Sequence, residues 1–212
     1  MIRIASLFMA LCLLVQAPAQ AQAPAQLPPP YPRPGVNKVF ENENFVAWNI
    51  TWLRQAYPVH RHRYDMVGMY YSDGDRIIVS TEGERRPVHT TAWTPIYQRA
   101  GVTHSEEGAS AEPLHALFVE IKHRGLIGGV SGVGVTGPVG SPKDLLSNEN
   151  ATIWEYGPGN TPPTQMHRHS YETMVLSFDA QSRPTVRHLP AGTAHTSDAQ
   201  PGAVRTYVIE IK

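Results

Sequence analysis

The sequence predicts an all-β protein built from two tandem small antiparallel β-barrels, and three observations predict it. Glycine (17) and proline (19) are plentiful among the 212 residues, a composition that favours strands joined by turns over long helices. No segment carries a convincing helical period, whereas short β-branched and aromatic runs recur along the chain. Four sequence blocks also appear twice in the same order, and an internal repeat fixes the architecture more firmly than any local propensity.

The repeat runs as follows. Asn42-Glu43-Asn44 leading to Trp48 matches Asn148-Glu149-Asn150 leading to Trp154. His60-Arg61-His62-Arg63-Tyr64-Asp65 matches His167-Arg168-His169-Ser170-Tyr171-Glu172. Ala100-Gly101-Val102-Thr103-His104 matches Ala191-Gly192-Thr193-Ala194-His195, and Leu117 to Lys122 matches Tyr207 to Lys212. The offset is 107 from His60 to His167 but 91 from His104 to His195, so the first copy holds 16 more residues between these blocks. A longer hairpin around Asp73 to Pro87, with turn signals at Asp73-Gly74 and Glu82-Gly83, accounts for them.

These blocks divide the chain. Residues 1–21 read as a secretory signal peptide, with Arg3, an apolar stretch from Ala5 to Val15 too short to span a bilayer, and a small-x-small site at Ala19-Gln20-Ala21. Residues 22–38 are rich in Pro, Ala and Gln and read as a disordered spacer. The first module covers 39–122 and the second 146–212. Between them, 123–145 form a linker or lid with seven glycines from Gly125 to Gly140. No Gly-Lys-Ser/Thr ending marks that segment as a phosphate loop. In each module Val46 to Trp52 and Thr152 to Tyr156 read as strands, as do Met66 to Tyr71, Thr173 to Phe178, Leu117 to Ile121 and Tyr207 to Ile211. The second module alone would bury a marginal core, so it is expected to pack against the first copy or a second chain, as in a homodimer.

Charge and cysteine narrow the setting. Lys+Arg and Asp+Glu number 18 each, which argues against nucleic-acid binding. The single cysteine, Cys12, lies inside the signal, so the mature protein has no disulfide. A periplasmic or secreted protein, with no membrane span after cleavage, is expected.

The chemistry concentrates in histidine. On a strand, alternate side chains share a face, so His60 and His62 point one way together, as do His167 and His169. His104 and His195 each follow a small-residue turn and supply a third imidazole. Three histidines at one point leave positions open on a metal ion for water or substrate. The two triads use six of the ten histidines. His89, His115, His123 and His188 have no repeated partner and read as surface or loop residues. Trp48 and Trp154 read as core, and Tyr64 and Tyr171 as either core or pocket lining.

These residues resemble the motifs of the cupin superfamily, a His-x-His pair followed by glutamate and then Pro-x-Gly-x-x-His. Pro190 to His195 matches the second motif in full, whereas the first copy has Arg99 in place of the proline. The resemblance covers nearly all of 40–122 and 146–212. It implies a bicupin with Fe, Mn, Zn or Ni in each barrel mouth, acting on or binding a small molecule. One departure stands out: only two residues separate each pair from Asp65 or Glu172, fewer than the family spacing. On a continuous strand these carboxylates would face away from the imidazoles, and a turn or bulge could bring them back. Asp65 and Glu172 are the candidate catalytic bases. Three readings follow: a metalloenzyme such as a dioxygenase, decarboxylase or isomerase, a non-catalytic ligand- or metal-binding module, or a structural protein with vestigial sites.

Overall fold

A computed structural model describes residues 26–123, 137–160, 162 and 164–212. The signal segment and most of the glycine-rich linker lie outside the described residues. The described chain is entirely β. The first module contributes β1 (Val36–Glu41), β2 (Phe45–Trp52), β3 (His60–Arg61), β4 (Asp65–Tyr70), β5 (Gly74–Val79), β6 (Arg85–Thr90), β7 (Thr94–Gln98), β8 (Thr103–Gly108) and β9 (Leu114–Ile121). The second contributes β10 (Lys143–Ser147), β11 (Ala151–Tyr156), β12 (Glu172–Phe178), β13 (Pro184–Leu189) and β14 (Arg205–Ile211).

The repeat is visible strand by strand. One five-stranded sheet runs β1-β2-β9-β4-β7 and the other β10-β11-β14-β12-β13, the same order with antiparallel pairing throughout. Phe45 and Asp65 both pair with Ile121, as Ala151 and Glu172 both pair with Ile211. A register shift falls between Lys38 and Phe40 in one copy and between Asp144 and Leu146 in the other. The repeated asparagines explain the first block. The Asn42 carboxamide accepts the Asn44 and Phe45 amides at 2.9 and 2.8 Å, and the Asn148 carboxamide accepts those of Asn150 and Ala151 at 2.8 and 2.9 Å. Each is an Asx turn that closes the first hairpin of its module.

The 16-residue surplus of the first copy is the β5–β6 hairpin. It joins β8 and β3 in a second, four-stranded sheet of order β3-β8-β5-β6, which closes the first module over its own core. The second copy turns directly from β12 into β13. Among the described residues it has a single bridge, His167 to His195, where the first has the β3–β8 pair.

The two large sheets pack face to face, with β1 against β13 and β7 against β10, a pseudo-two-fold arrangement within one chain. The central strands of the first sheet, β2, β4 and β9, are therefore buried on both faces and read as near-continuous apolar runs, while the outer strands β1 and β7 stay partly exposed. Along β2, Phe45 and Ala47 enter the core between the modules, while Val46, Trp48, Ile50 and Trp52 enter the interior of the first. The inter-module core joins Val67, Leu117 and Val119 to Ile153, Leu176, Phe178 and Ile209, all fully buried. The second module thus completes its core on the first copy, one of the two packings its short length calls for.

The tail expected to be a spacer departs from its composition. Tyr31 is buried with its ring 5.5 Å from Trp48, and the Arg33 side chain enters the first module at 6% exposure. The Pro28 carbonyl accepts the Arg61 amide at 2.9 Å and the Gly35 carbonyl accepts the Thr51 amide at 2.7 Å, which straps the segment across the barrel. One buried aromatic ring and one buried guanidinium offset the ordering cost of a chain that is otherwise polar and extended.

Because one core serves both modules, they should unfold together. Leu176→Ala is expected to cost about 3 kcal/mol and to move a single two-probe transition in urea. Two resolved transitions, with only the later residues destabilised, would contradict the shared core.

Candidate metal centres

Each triad is assembled by the same local device. His60 lies opposite His104 in the β3–β8 ladder, and His167 lies opposite His195 in a bridge closed by two 2.9 Å backbone bonds. The second histidine of each pair is fixed by the Ala-Gly turn. The Gly101 amide donates to the His62 carbonyl at 2.7 Å, and the Gly192 amide to that of His169 at 2.8 Å. Gly101 (φ 91°) and Gly192 (φ 74°) have left-handed backbone, which favours glycine in the second motif.

The structure brings all six predicted histidines into two groups. In each, the ligating atoms lie within 4.8 Å of one another. In the first group the ring centroids of His60, His62 and His104 are 4.8 to 5.2 Å apart. The His60 ring donates from Nδ1 to the Pro58 carbonyl at 3.0 Å, which leaves the Nε2 lone pair for a ligand. The Nε2 atoms of all three histidines are buried with no hydrogen-bond partner among the described residues. Buried, unpartnered ring nitrogens gathered within coordination distance of one another are costly unless a cation lies between them. The group therefore fits a divalent ion. Burial, reinforced by the neighbouring imidazoles, lowers His62 to about 3. Burial lowers His104 to about 4 despite the opposing pull of Glu106. Neutral imidazoles are the form that binds metal.

The second group adds a residue that the sequence reading missed. Asp198 Oδ1 lies 3.0, 2.9 and 2.9 Å from Nε2 of His167, His169 and His195. Nδ1 of His167 and His195 faces the Gln165 and Thr193 carbonyls at 2.7 and 3.0 Å, and Nδ1 of His169 faces Glu210 at 2.9 Å. Those partners only accept, so each Nδ1 carries the proton. Three Nε2 atoms could then meet one carboxylate oxygen only as three buried imidazolium ions or around a cation. A divalent ion resolves the conflict with a three-nitrogen, one-oxygen donor set. Burial disfavours the His169 cation, but Asp198 and Glu210 overcome it and raise the group to about 9. Burial likewise raises Asp198, and the three imidazoles outweigh it to hold the carboxyl at about 2.

Asp65 and Glu172, the expected bases, do not join either group. Asp65 accepts the Ala100 amide at 2.8 Å and the Tyr97 hydroxyl. Glu172 accepts the Ala191 amide at 3.4 Å and pairs with His188. Each begins or flanks a strand whose side chains alternate, so with two intervening residues the carboxylate falls on the face opposite the imidazoles and braces the Ala-Gly turn. Of the other histidines, His115 bonds Thr51, His89 bonds Asp75 and His188 pairs with Glu172. Glu106 also escaped the sequence reading. It is buried 3.8 Å from His104 Nε2, accepts Trp52 Nε1 at 2.9 Å and pairs with Arg33 and Arg76 at 2.8 and 3.1 Å. Burial would raise its carboxyl, but the two guanidiniums hold it at about 2. Its signal was alternation, since His104 and Glu106 share the inward face of β8.

No protein-family model matches the sequence, and no curated protein matches it. Among solved structures, AerE from Microcystis aeruginosa is 13% identical with a TM-score of 0.58, over 88% of this chain and 99% of that one. A cupin domain from Bordetella pertussis Tohama I is 22% identical with a TM-score of 0.39, over 44% of this chain and 99% of its own. A cupin 2 conserved barrel domain protein from Leptotrichia buccalis is 14% identical with a TM-score of 0.46, over 84% and 88%. At 13% identity the likeness to AerE is one of fold.

The two groups should make the metal-free protein most stable near neutral pH. His62 and His104 have lowered folded-state values, so below about 6.5 the unfolded chain takes up protons that the folded one refuses, and stability falls toward about 4. His169 is raised, so its contribution is present below about 6.5 and lost as pH climbs through about 9. Thermal unfolding after chelation, at pH values from 4 to 10, should show His62→Asn flattening the acid limb and His169→Asn the alkaline limb. Unchanged limbs in both variants would contradict these assignments.

Proposed function

We propose that the protein binds one divalent metal ion in each module and uses the first for chemistry or ligand capture on a small organic molecule. The observation that carries this reading is the set of buried Nε2 atoms, orphaned in the first group and crowded on Asp198 Oδ1 in the second. The two centres have different roles. His60, His62 and His104 offer three protein ligands, the number that leaves coordination positions for water or substrate. His167, His169, His195 and Asp198 offer four, the closed set typical of a retained ion. An ion in the first centre would supply Lewis acidity toward a bound oxygen. The Pro58 carbonyl holds His60 in the tautomer whose Nε2 faces the site, and the β3–β8 ladder and the Ala-Gly turn position the other two imidazoles. Glu106, ionised between two guanidiniums, serves as a charge partner and not as a proton acceptor.

Export to the periplasm or outside the cell belongs to the same proposal and is supported by the signal-like residues 1–21. The iron, manganese, zinc or nickel that the motifs imply all suit imidazole-rich donor sets. A holding role without turnover is favoured for the second centre by its fourth ligand.

Elemental analysis of the tag-free protein tests the reading. Two metal equivalents per chain are expected, with His62→Ala and His169→Ala each removing one. Glu210→Gln should weaken the second centre by about 10- to 100-fold through loss of the brace on His169. Full metal loading in the double histidine variant would overturn the assignment.

A further inference from the structure

We propose that the first metal centre takes an anionic oxygen ligand, a small organic carboxylate or enolate, with Arg33 and Arg76 as its charge partners. The inference rests on the metal reading above and deepens it.

The starting point is the charge held around each triad. Beside His60, His62 and His104, one carboxylate, Glu106, faces two guanidiniums, Arg33 at 2.8 Å and Arg76 at 3.1 Å. Both arginine side chains are buried, at 6% and 10% exposure. With neutral imidazoles the surroundings carry a net charge of +1 (two guanidiniums less one carboxylate), and a divalent ion makes it +3. Buried charge of one sign is strongly disfavoured without a counter-ion. The second triad has two carboxylates, Asp198 and Glu210, in hydrogen bonds to its imidazoles, and they match the charge of a divalent ion. Its nearby cation, Arg187, is partly exposed and donates to the Ser197 carbonyl.

Hydrogen bonding differs in degree: beside the second triad one guanidinium nitrogen, Arg187 Nε, is buried without a partner among the described residues, and beside the first there are several. Arg33 Nε and Nη1 and Arg76 Nε are buried with no hydrogen-bond partner among the described residues. Arg33 is held rigidly with its guanidinium 3.9 Å from the Tyr57 ring centre, so its donors are fixed in place. Of the two clefts that reach this triad, the larger is basic and the smaller balances Arg86 with Glu84. One of about 820 Å³ is lined by Arg61, His62 and Arg63, and one of about 290 Å³ by His104, Arg86 and Glu84. Basic walls raise the local concentration of anions.

The test uses full-length mature protein carrying His195→Ala, so that cobalt(II) reports on the first centre alone through its visible spectrum. Acetate is the probe, and acetamide is the neutral control of similar shape. Acetate should produce a saturable spectral change and acetamide none. Arg76→Gln and Arg33→Gln should each weaken acetate about tenfold with cobalt content unchanged, and Arg33→Lys should restore part of the loss. Should a guanidinium variant fail to fold, the acetate and acetamide titrations decide. Bound cobalt that ignores acetate, or that responds only to pH as a metal-bound hydroxide would, overturns the anion proposal and leaves the metal reading standing. A His195→Ala protein that binds no cobalt overturns the metal reading itself.

Discussion

The organisation of both centres depends on one strand pairing made twice. A two-residue ladder in the first copy and a single bridge in the second set the leading histidine of the pair opposite the histidine that follows the Ala-Gly turn. The turn then reaches back to the carbonyl of the second histidine, so backbone hydrogen bonds set the place of all three imidazoles. Asp65 and Glu172 anchor that turn from the opposite face. The ladder and the turn form one cooperative unit, and its product is three nitrogen atoms that need a cation.

Around this shared device the two copies have diverged in what surrounds the imidazoles. The first copy carries an additional hairpin and with it a second sheet, which seals the triad over Glu106 and two arginines. The second copy lacks that sheet among the described residues and instead closes its triad with Asp198, from the segment between β13 and β14. It borrows its core from the first copy through the sheet-on-sheet packing of Leu176, Phe178 and Ile209 against Val67, Leu117 and Val119. The pseudo-two-fold stacking lets a short module persist that would bury too little by itself.

Much of this was legible in the sequence because repetition amplifies weak signals. A lone His-x-His pair says little, but the same pair twice, each followed by an Ala-Gly turn and a third histidine, points to both groups. The difference in spacing points to the β5–β6 hairpin. The carboxylates were harder. Asp65 and Glu172 recur in register, and recurrence is equally expected of a ligand and of a turn brace, so only the strand face separates the two roles. Asp198 has no repeated counterpart at the same spacing, because Glu106 follows its histidine by two residues on a strand and Asp198 by three in a loop. Arg33 was hidden by averaging: a Pro-, Ala- and Gln-rich composition describes the spacer as a whole and says nothing of the two side chains that anchor it.

The most direct measurement is anomalous diffraction at a metal absorption edge from crystals of the metal-loaded protein. Two peaks are predicted per chain, each about 2.1 Å from three imidazole Nε2 atoms, with Asp198 as a further ligand in the second and a non-protein position open in the first. Triads in loaded crystals with no anomalous peak, their nitrogens bonded instead to water or to carboxylate oxygens, would contradict the account.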